Sequence, residues 1–100
     1  MADHFYSPEA RLDLLEIWDY IAQDNPDAAD RVEMAIEKAA SMLALNPELG
    51  HFRRDLASKP VRFWPIHSFL IIYDPATQPL EIVRILSGYR DVAALLKRDN

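Results

Sequence analysis

The sequence predicts an α+β fold, and three observations predict it. Two proline-marked helix starts, Ser7-Pro8-Glu9 and Asn25-Pro26-Asp27, each open a stretch of apolar residues at helical spacing. Beyond Gly50 the pattern changes to short runs rich in β-branched and aromatic residues. The chain has 100 residues, of which 50% are hydrophobic and 27% charged, the composition of one globular domain rather than of a disordered tail. Residues 1–100 therefore read as a single domain, long enough to bury one core.

The elements follow in order. Phe5-Tyr6 reads as a short first strand. Ser7 is a side-chain N-cap, Pro8 suits the first helical position and Glu9 puts an acid in the first turn. Leu12, Leu15, Trp18 and Ala22 then recur at helical spacing, with Leu14, Ile17 and Ile21 widening the stripe and Asp13, Glu16 and Asp19 on its wetter side. The helix should stop near Asp24, because Asn25 precedes a proline and is pushed out of helical geometry. A second, longer helix starts at Asn25-Pro26, buries Ala28, Ala29, Val32, Ile36, Ala39, Ala40 and Leu43, and ends at Asn46-Pro47. The tight connection makes the two helices an antiparallel hairpin, and its alanines allow close packing.

Three strands follow, Val61 to Ile66, Phe69 to Asp74 and Leu80 to Leu86, the last two joined by the turn Asp74-Pro75-Ala76-Thr77-Gln78-Pro79. Consecutive strands with short turns pair antiparallel. Asp91 to Arg98 reads as a short C-terminal helix. The predicted architecture is thus a short N-terminal strand and an α-helical hairpin packed on a three- to four-stranded antiparallel sheet. The later two strands are apolar on both faces: Phe69, Ile71 and Tyr73 alternate with Leu70 and Ile72. A sheet with one solvated face would alternate apolar with polar. The second face is therefore covered, either by a partner chain or by residues 47–60 and 91–100.

Charge narrows the function. The net charge of −5 argues against a general nucleic-acid binder. Residues 1–50 carry three Lys/Arg and eleven Asp/Glu, a net of −8, and residues 51–100 carry eight and five, a net of +3. An anionic partner would be expected to touch the second half. Cysteine is absent, which excludes disulfides and thiolate metal sites and makes a reducing, cytoplasmic setting the expectation. The start Met1-Ala2-Asp3-His4-Phe5-Tyr6 does not read as a signal peptide, and Phe69 to Tyr73 is far too short to cross a bilayer.

Sequence motifs for catalysis are wanting: no Gly-rich phosphate loop, HExxH or GxSxG occurs. His4, His51 and His67 are scattered, so neither a metal nor another cofactor is expected. The helical carboxylates follow surface spacing and read as solvated faces. Arg53, Arg54, Lys59 and Arg62 form a basic cluster with one acid, Asp55, among them, while Arg84 lies within an apolar strand and Arg90 follows close behind. Arg84 must find an acid from the hairpin or line an open groove. Trp18 and Tyr20 read as core and helix-packing residues, whereas Trp64, beside Pro65 on an edge strand, reads as the exposed aromatic.

Several strings, in this order, resemble the ParE-type toxins of the RelE/ParE superfamily from type II toxin–antitoxin systems. They are Ser7-Pro8-Glu9-Ala10, Ile17-Trp18-Asp19-Tyr20-Ile21-Ala22, Asn25-Pro26-Asp27-Ala28-Ala29-Asp30-Arg31, Val61-Arg62-Phe63-Trp64-Pro65-Ile66, Phe69-Leu70-Ile71-Ile72-Tyr73, and Glu81-Ile82-Val83-Arg84-Ile85-Leu86-Ser87-Gly88-Tyr89-Arg90-Asp91. The resemblance implies a cytoplasmic bacterial toxin that binds DNA gyrase, blocks replication without catalytic residues of its own, and is neutralised by a cognate ParD-like antitoxin. It implies that the antitoxin, not this chain, contacts operator DNA. The expected target surface comprises Arg53, Arg54, Arg62, Arg84, Tyr89 and Arg90; the expected antitoxin surface comprises Trp64, Leu70 and Ile72. Two alternatives accompany it. RelE-like relatives cleave mRNA on the ribosome, for which Arg62 and Arg84 would supply cations and Tyr89 or His67 the proton transfer. Relatives also commonly carry histidine where Ser87 stands, which leaves room for a degenerate module that binds only an antitoxin.

Overall fold

A computed structural model describes residues 3–53 and 60–87 of the chain. The expected C-terminal helix over Asp91 to Arg98 lies outside them. Six elements follow in order: β1 (His4–Tyr6), α1 (Pro8–Ala22), α2 (Pro26–Leu45), β2 (Arg62–Ile66), β3 (Phe69–Asp74) and β4 (Leu80–Ser87).

Both helix starts are built as their sequences dictate. Ser7 is extended and its Oγ accepts from Ala10 N at 3.0 Å, with Pro8 opening the helix. Asn25 does the same for α2, its Oδ1 accepting from Ala28 N at 3.1 Å. Each side chain satisfies an N–H that the first helical turn would leave unpaired. At the far end of α2, Asn46 donates its side-chain amide to Met42 O at 3.1 Å. Trp18 Nε1 donates to Asp30 Oδ1 at 2.9 Å and ties the two helices across the hairpin.

The four strands form one sheet in the order β1-β4-β3-β2. β2, β3 and β4 make the expected antiparallel meander, in register from Arg62↔Tyr73 to Ile66↔Phe69 and from Phe69↔Ser87 to Asp74↔Glu81. β1 runs parallel to β4, pairing His4 with Leu80 and Tyr6 with Ile82, so the sheet is mixed rather than wholly antiparallel. The meander has two edges, and β1 takes that of β4, where Ser7 at the start of α1 is tied to Ile82 O and Val83 O. Between Ile72 and Tyr73 the register shifts, leaving Val83 as an extra residue in β4.

The sheet is apolar on both faces, and the two faces build separate clusters. Toward the helices lie Ile71, Tyr73, Leu80, Ile82 and Ile85, packed with Ala10, Ile36, Ala39, Ala40, Leu43 and Ala44. On the other side Val61, Phe63, Leu70, Ile72 and Leu86 form a second cluster. The second cluster is buried within the single chain, so its enclosure requires no partner.

α2 buries the stripe its spacing predicts. α1 does so in part: Leu14 and Ile17 of its predicted stripe pack inward with Ala10, but Leu12 and Leu15 are 60% and 57% exposed. Both series have helical spacing, so periodicity alone does not choose between them. Ala10 decides it, because a fully buried methyl lets α1 approach β4 closely, where Ser7 N and Oγ donate to Ile82 O at 2.9 Å and Val83 O at 2.7 Å.

Candidate functional site

β1 covers only the first part of β4, so beyond Ile82 the strand's edge is left to α1. There the Asp13 carboxylate takes the place of a neighbouring strand. Its Oδ2 accepts from Ile85 N at 3.0 Å and from Arg84 Nε at 2.8 Å, and its Oδ1 accepts from Arg84 Nη2 at 3.0 Å. The side chains are only 11% and 15% exposed, so this is a largely desolvated, two-pronged ion pair with a third bond to the backbone. Of the two places foreseen for Arg84, beside an acid of the hairpin or in an open groove, it takes the first, and the acid is Asp13.

Beside this pair, between the helical hairpin and the β3–β4 end of the sheet, runs an open groove of about 830 Å³. Ile17, Tyr20 and Ile21 of α1 and Val32 of α2 form one wall, and Phe69, Leu86 and Ser87 the other. His67, in the β2–β3 turn at φ 53°, stands at the rim with Ser68, and Glu16 lines the α1 side. The exposed lining is more apolar than polar, with its polar side chains at the Asp13–Arg84 end and the rim, which is the character of a binding cleft. Sequence reading foresaw that Arg84 could line an open groove but not the groove's other wall, because Ile17 and Ile21 at helical spacing fit burial in the core equally well.

A second construction lies at the opposite end. The Tyr73 hydroxyl donates to Pro47 O at 2.6 Å and accepts from Gly50 N at 2.8 Å. A Cβ on Gly50 would fall within 2.7 Å of Tyr73 Cε1, so the approach needs glycine. Arg62 donates to Gly50 O at 2.6 Å and Glu48 O at 3.2 Å, and its guanidinium lies 4.1 Å from the Phe52 ring centroid. His51 and Phe63 exchange backbone bonds, which closes part of the outer edge of β2. Together these contacts fasten the segment after α2 to the sheet and set Phe52 and Arg53 at the surface.

The expected site residues are thereby sorted. Arg53 is exposed, Arg62 holds loop carbonyls, and Arg84 is bound by Asp13 at the far side of the sheet. Arg54, Tyr89 and Arg90 lie outside the described residues. Trp64 is half-buried on β2, an edge strand as expected, and packs against the helix-side core. Leu70 and Ile72, at 2% and 0% exposure, are enclosed in the opposite cluster. The three expected antitoxin contacts are thus not one surface. Sequence gave both strand faces as apolar, and enclosure of the second face within the chain is what removes Leu70 and Ile72 from view.

One further polar cluster joins β1 to α2. Glu37 bridges His4, whose Nε2 is 3.0 Å from Oε1, and Tyr6, whose hydroxyl donates to Oε2. The Tyr6 phenol is pushed well above its ordinary range by burial first, then by this bond and the nearby charges of Glu37 and Glu33. Burial also raises Tyr73, against the opposing effects of the Gly50 N–H and Arg62. Among the described residues, no cluster of His, Cys, Asp and Glu could hold a metal ion. None of the described helices is long and apolar enough to cross a membrane.

Comparison with known proteins decides the family. The family model described as ParE toxin of type II toxin-antitoxin system, parDE, matches residues 5–92. This chain belongs to the ParE toxin family. A solved structure from the chromosomal ParDE TA system of P. aeruginosa is similar in fold, with a TM-score of 0.72, 21% sequence identity, and coverage of 88% of this chain and 97% of that one. No curated protein matches. In this ParE-family chain the matched residues run from within β1 to beyond the end of β4.

Proposed function

We propose that this ParE-family chain is a toxin that blocks DNA gyrase by binding it, and that a cognate antitoxin silences it by occupying the groove between the helical hairpin and the β3–β4 sheet end. The family match over residues 5–92 carries the reading. The character of the site supports it: a largely apolar groove is suited to a protein segment rather than to a reacting group. The target surface lies in the second half of the chain, at Arg53 and Arg54 together with Tyr89 and Arg90. In this assignment Arg62 and Arg84 are positioning residues: one holds the loop that presents Phe52 and Arg53, and the other fixes the end of β4.

The mRNA endonuclease reading is less well supported. It called on Arg62 and Arg84 as phosphate cations, and both guanidinium groups are already engaged by loop carbonyls and by Asp13. The acidic balance of the chain also disfavours a partner made of RNA.

Pulse labelling in bacteria separates these alternatives. On induction of the chain alone, DNA synthesis is expected to fall before protein synthesis, and co-expression of the protein encoded beside it should restore both. Protein synthesis falling first would overturn the gyrase assignment in favour of mRNA cleavage. Unchanged growth would overturn the toxin assignment in favour of a degenerate module.

A further inference from the structure

The groove has a sign as well as a shape. Among the described residues, the Asp, Glu, Lys and Arg side chains that line it are Asp13, Arg84 and Glu16, and the first two neutralise each other. Glu16 has no ion-pair partner among the described residues and is exposed on the α1 wall. The helical hairpin behind it, residues 8–45, carries nine Asp/Glu against three Lys/Arg, so the field over that wall is negative. The rest of the lining is largely apolar, with Ile17, Tyr20, Ile21, Val32 and Phe69 open to a ligand side chain.

We infer that the groove selects an apolar protein segment flanked by Lys or Arg, and that Glu16 is the residue that reads the cation. The inference rests on the antitoxin reading above and deepens it, since the segment in question is the antitoxin's. Apolar residues of the segment fill the space between α1 and β3–β4, and a cationic side chain beside them reaches Glu16. An acidic segment of the same shape would meet the hairpin's field and an unpaired carboxylate, which disfavours it. A second copy of this chain is a poor occupant, because its most exposed apolar side chains, such as Leu12, Leu15 and Met34, sit on helices of the same negative sign.

Two synthetic helical peptides test this on the full chain. They share one leucine–alanine pattern, and one carries lysines where the other carries glutamates. By fluorescence anisotropy at low salt, the lysine peptide is expected to bind about tenfold tighter or more. Glu16→Gln should weaken the lysine peptide about fivefold or less, the range of an exposed ion pair, and leave the glutamate peptide no weaker. Glu16→Lys should narrow or invert the preference. Tyr20→Ala, at a site 77% exposed and therefore outside the core, should weaken both peptides alike. Equal binding, preference for glutamate, no binding of either, or a preference untouched by Glu16→Lys would each overturn the inference. Competition with the protein encoded beside the toxin tells the two readings apart. If that protein fails to displace a bound lysine peptide, the groove's chemistry stands and the antitoxin seat falls. If it blocks the groove while the peptides show no dependence on Glu16, the seat stands and the charge selection falls.

Discussion

Asp13 does at the residue scale what a strand would do at a larger one. One carboxylate satisfies the backbone N–H of Ile85 and both prongs of Arg84 in a nearly water-free place. Removing it takes two charge-assisted bonds from a largely desolvated guanidinium and the acceptor from the Ile85 N–H, and that asymmetry makes the loss large. Asp13→Ala is expected to cost about 3 kcal/mol in urea unfolding, and Asp13→Ala combined with Arg84→Met should recover part of it. Strict additivity of the two would contradict the account. The tyrosines make a second residue-scale prediction. Tyr6 and Tyr73 both hold their protons more tightly folded than unfolded. As pH rises above about 10, the ordinary tyrosine value, the unfolded chain loses those protons first. The stabilisation present below that pH is therefore lost progressively above it. Replacing Tyr6 and Tyr73 by phenylalanine should lower stability at neutral pH yet flatten its alkaline decline; an unchanged slope between pH 9 and 11 would contradict the assignment.

At the scale of elements, local chemistry was legible and long-range pairing was not. Ser7-Pro8 and Asn25-Pro26 announce helix starts because capping is decided within four residues. The β2–β3–β4 meander follows from short turns between apolar runs. The pairing of β1 with β4, and of Asp13 with Arg84, joins residues far apart in the chain, and nothing in either string names its partner. The inward face of α1 was legible only in part: Leu14 and Ile17 were in the predicted stripe, but Leu12-Leu15 and Ala10-Leu14-Ile17 have equally helical spacing, and only contact with β4 distinguishes them. The difference is measurable. Leu12→Gln and Leu15→Gln are expected to change stability by no more than about 0.5 kcal/mol, as for surface sites. Ala10→Leu, which inserts volume where α1 meets β4, should cost about 1–3 kcal/mol. The reverse ranking in thermal unfolding would mean that α1 is rotated from this packing.

For the whole molecule, the net charge of −5 divides along the fold. The acids lie mainly on the helical hairpin, and the basic excess belongs to the half that builds the sheet. On the proposed reading such a chain would need no catalytic group of its own, because it would act by occupying a DNA enzyme and be stopped by having its own groove occupied. That division was partly legible. The order of strings pointed to the family, whereas the groove appears only when α1 is set against the open end of β4. Leu70 and Ile72, which looked like partner contacts, are enclosed because the chain itself buries the second sheet face. The most direct measurement is supercoiling of relaxed plasmid by purified gyrase, titrated with purified toxin, alongside a translating ribosome reaction that reports mRNA cleavage. Supercoiling is expected to fall with added toxin while the mRNA stays intact, and charge reversal at Arg53 and Arg54 should relieve the inhibition. Intact supercoiling with cleaved mRNA would contradict the account.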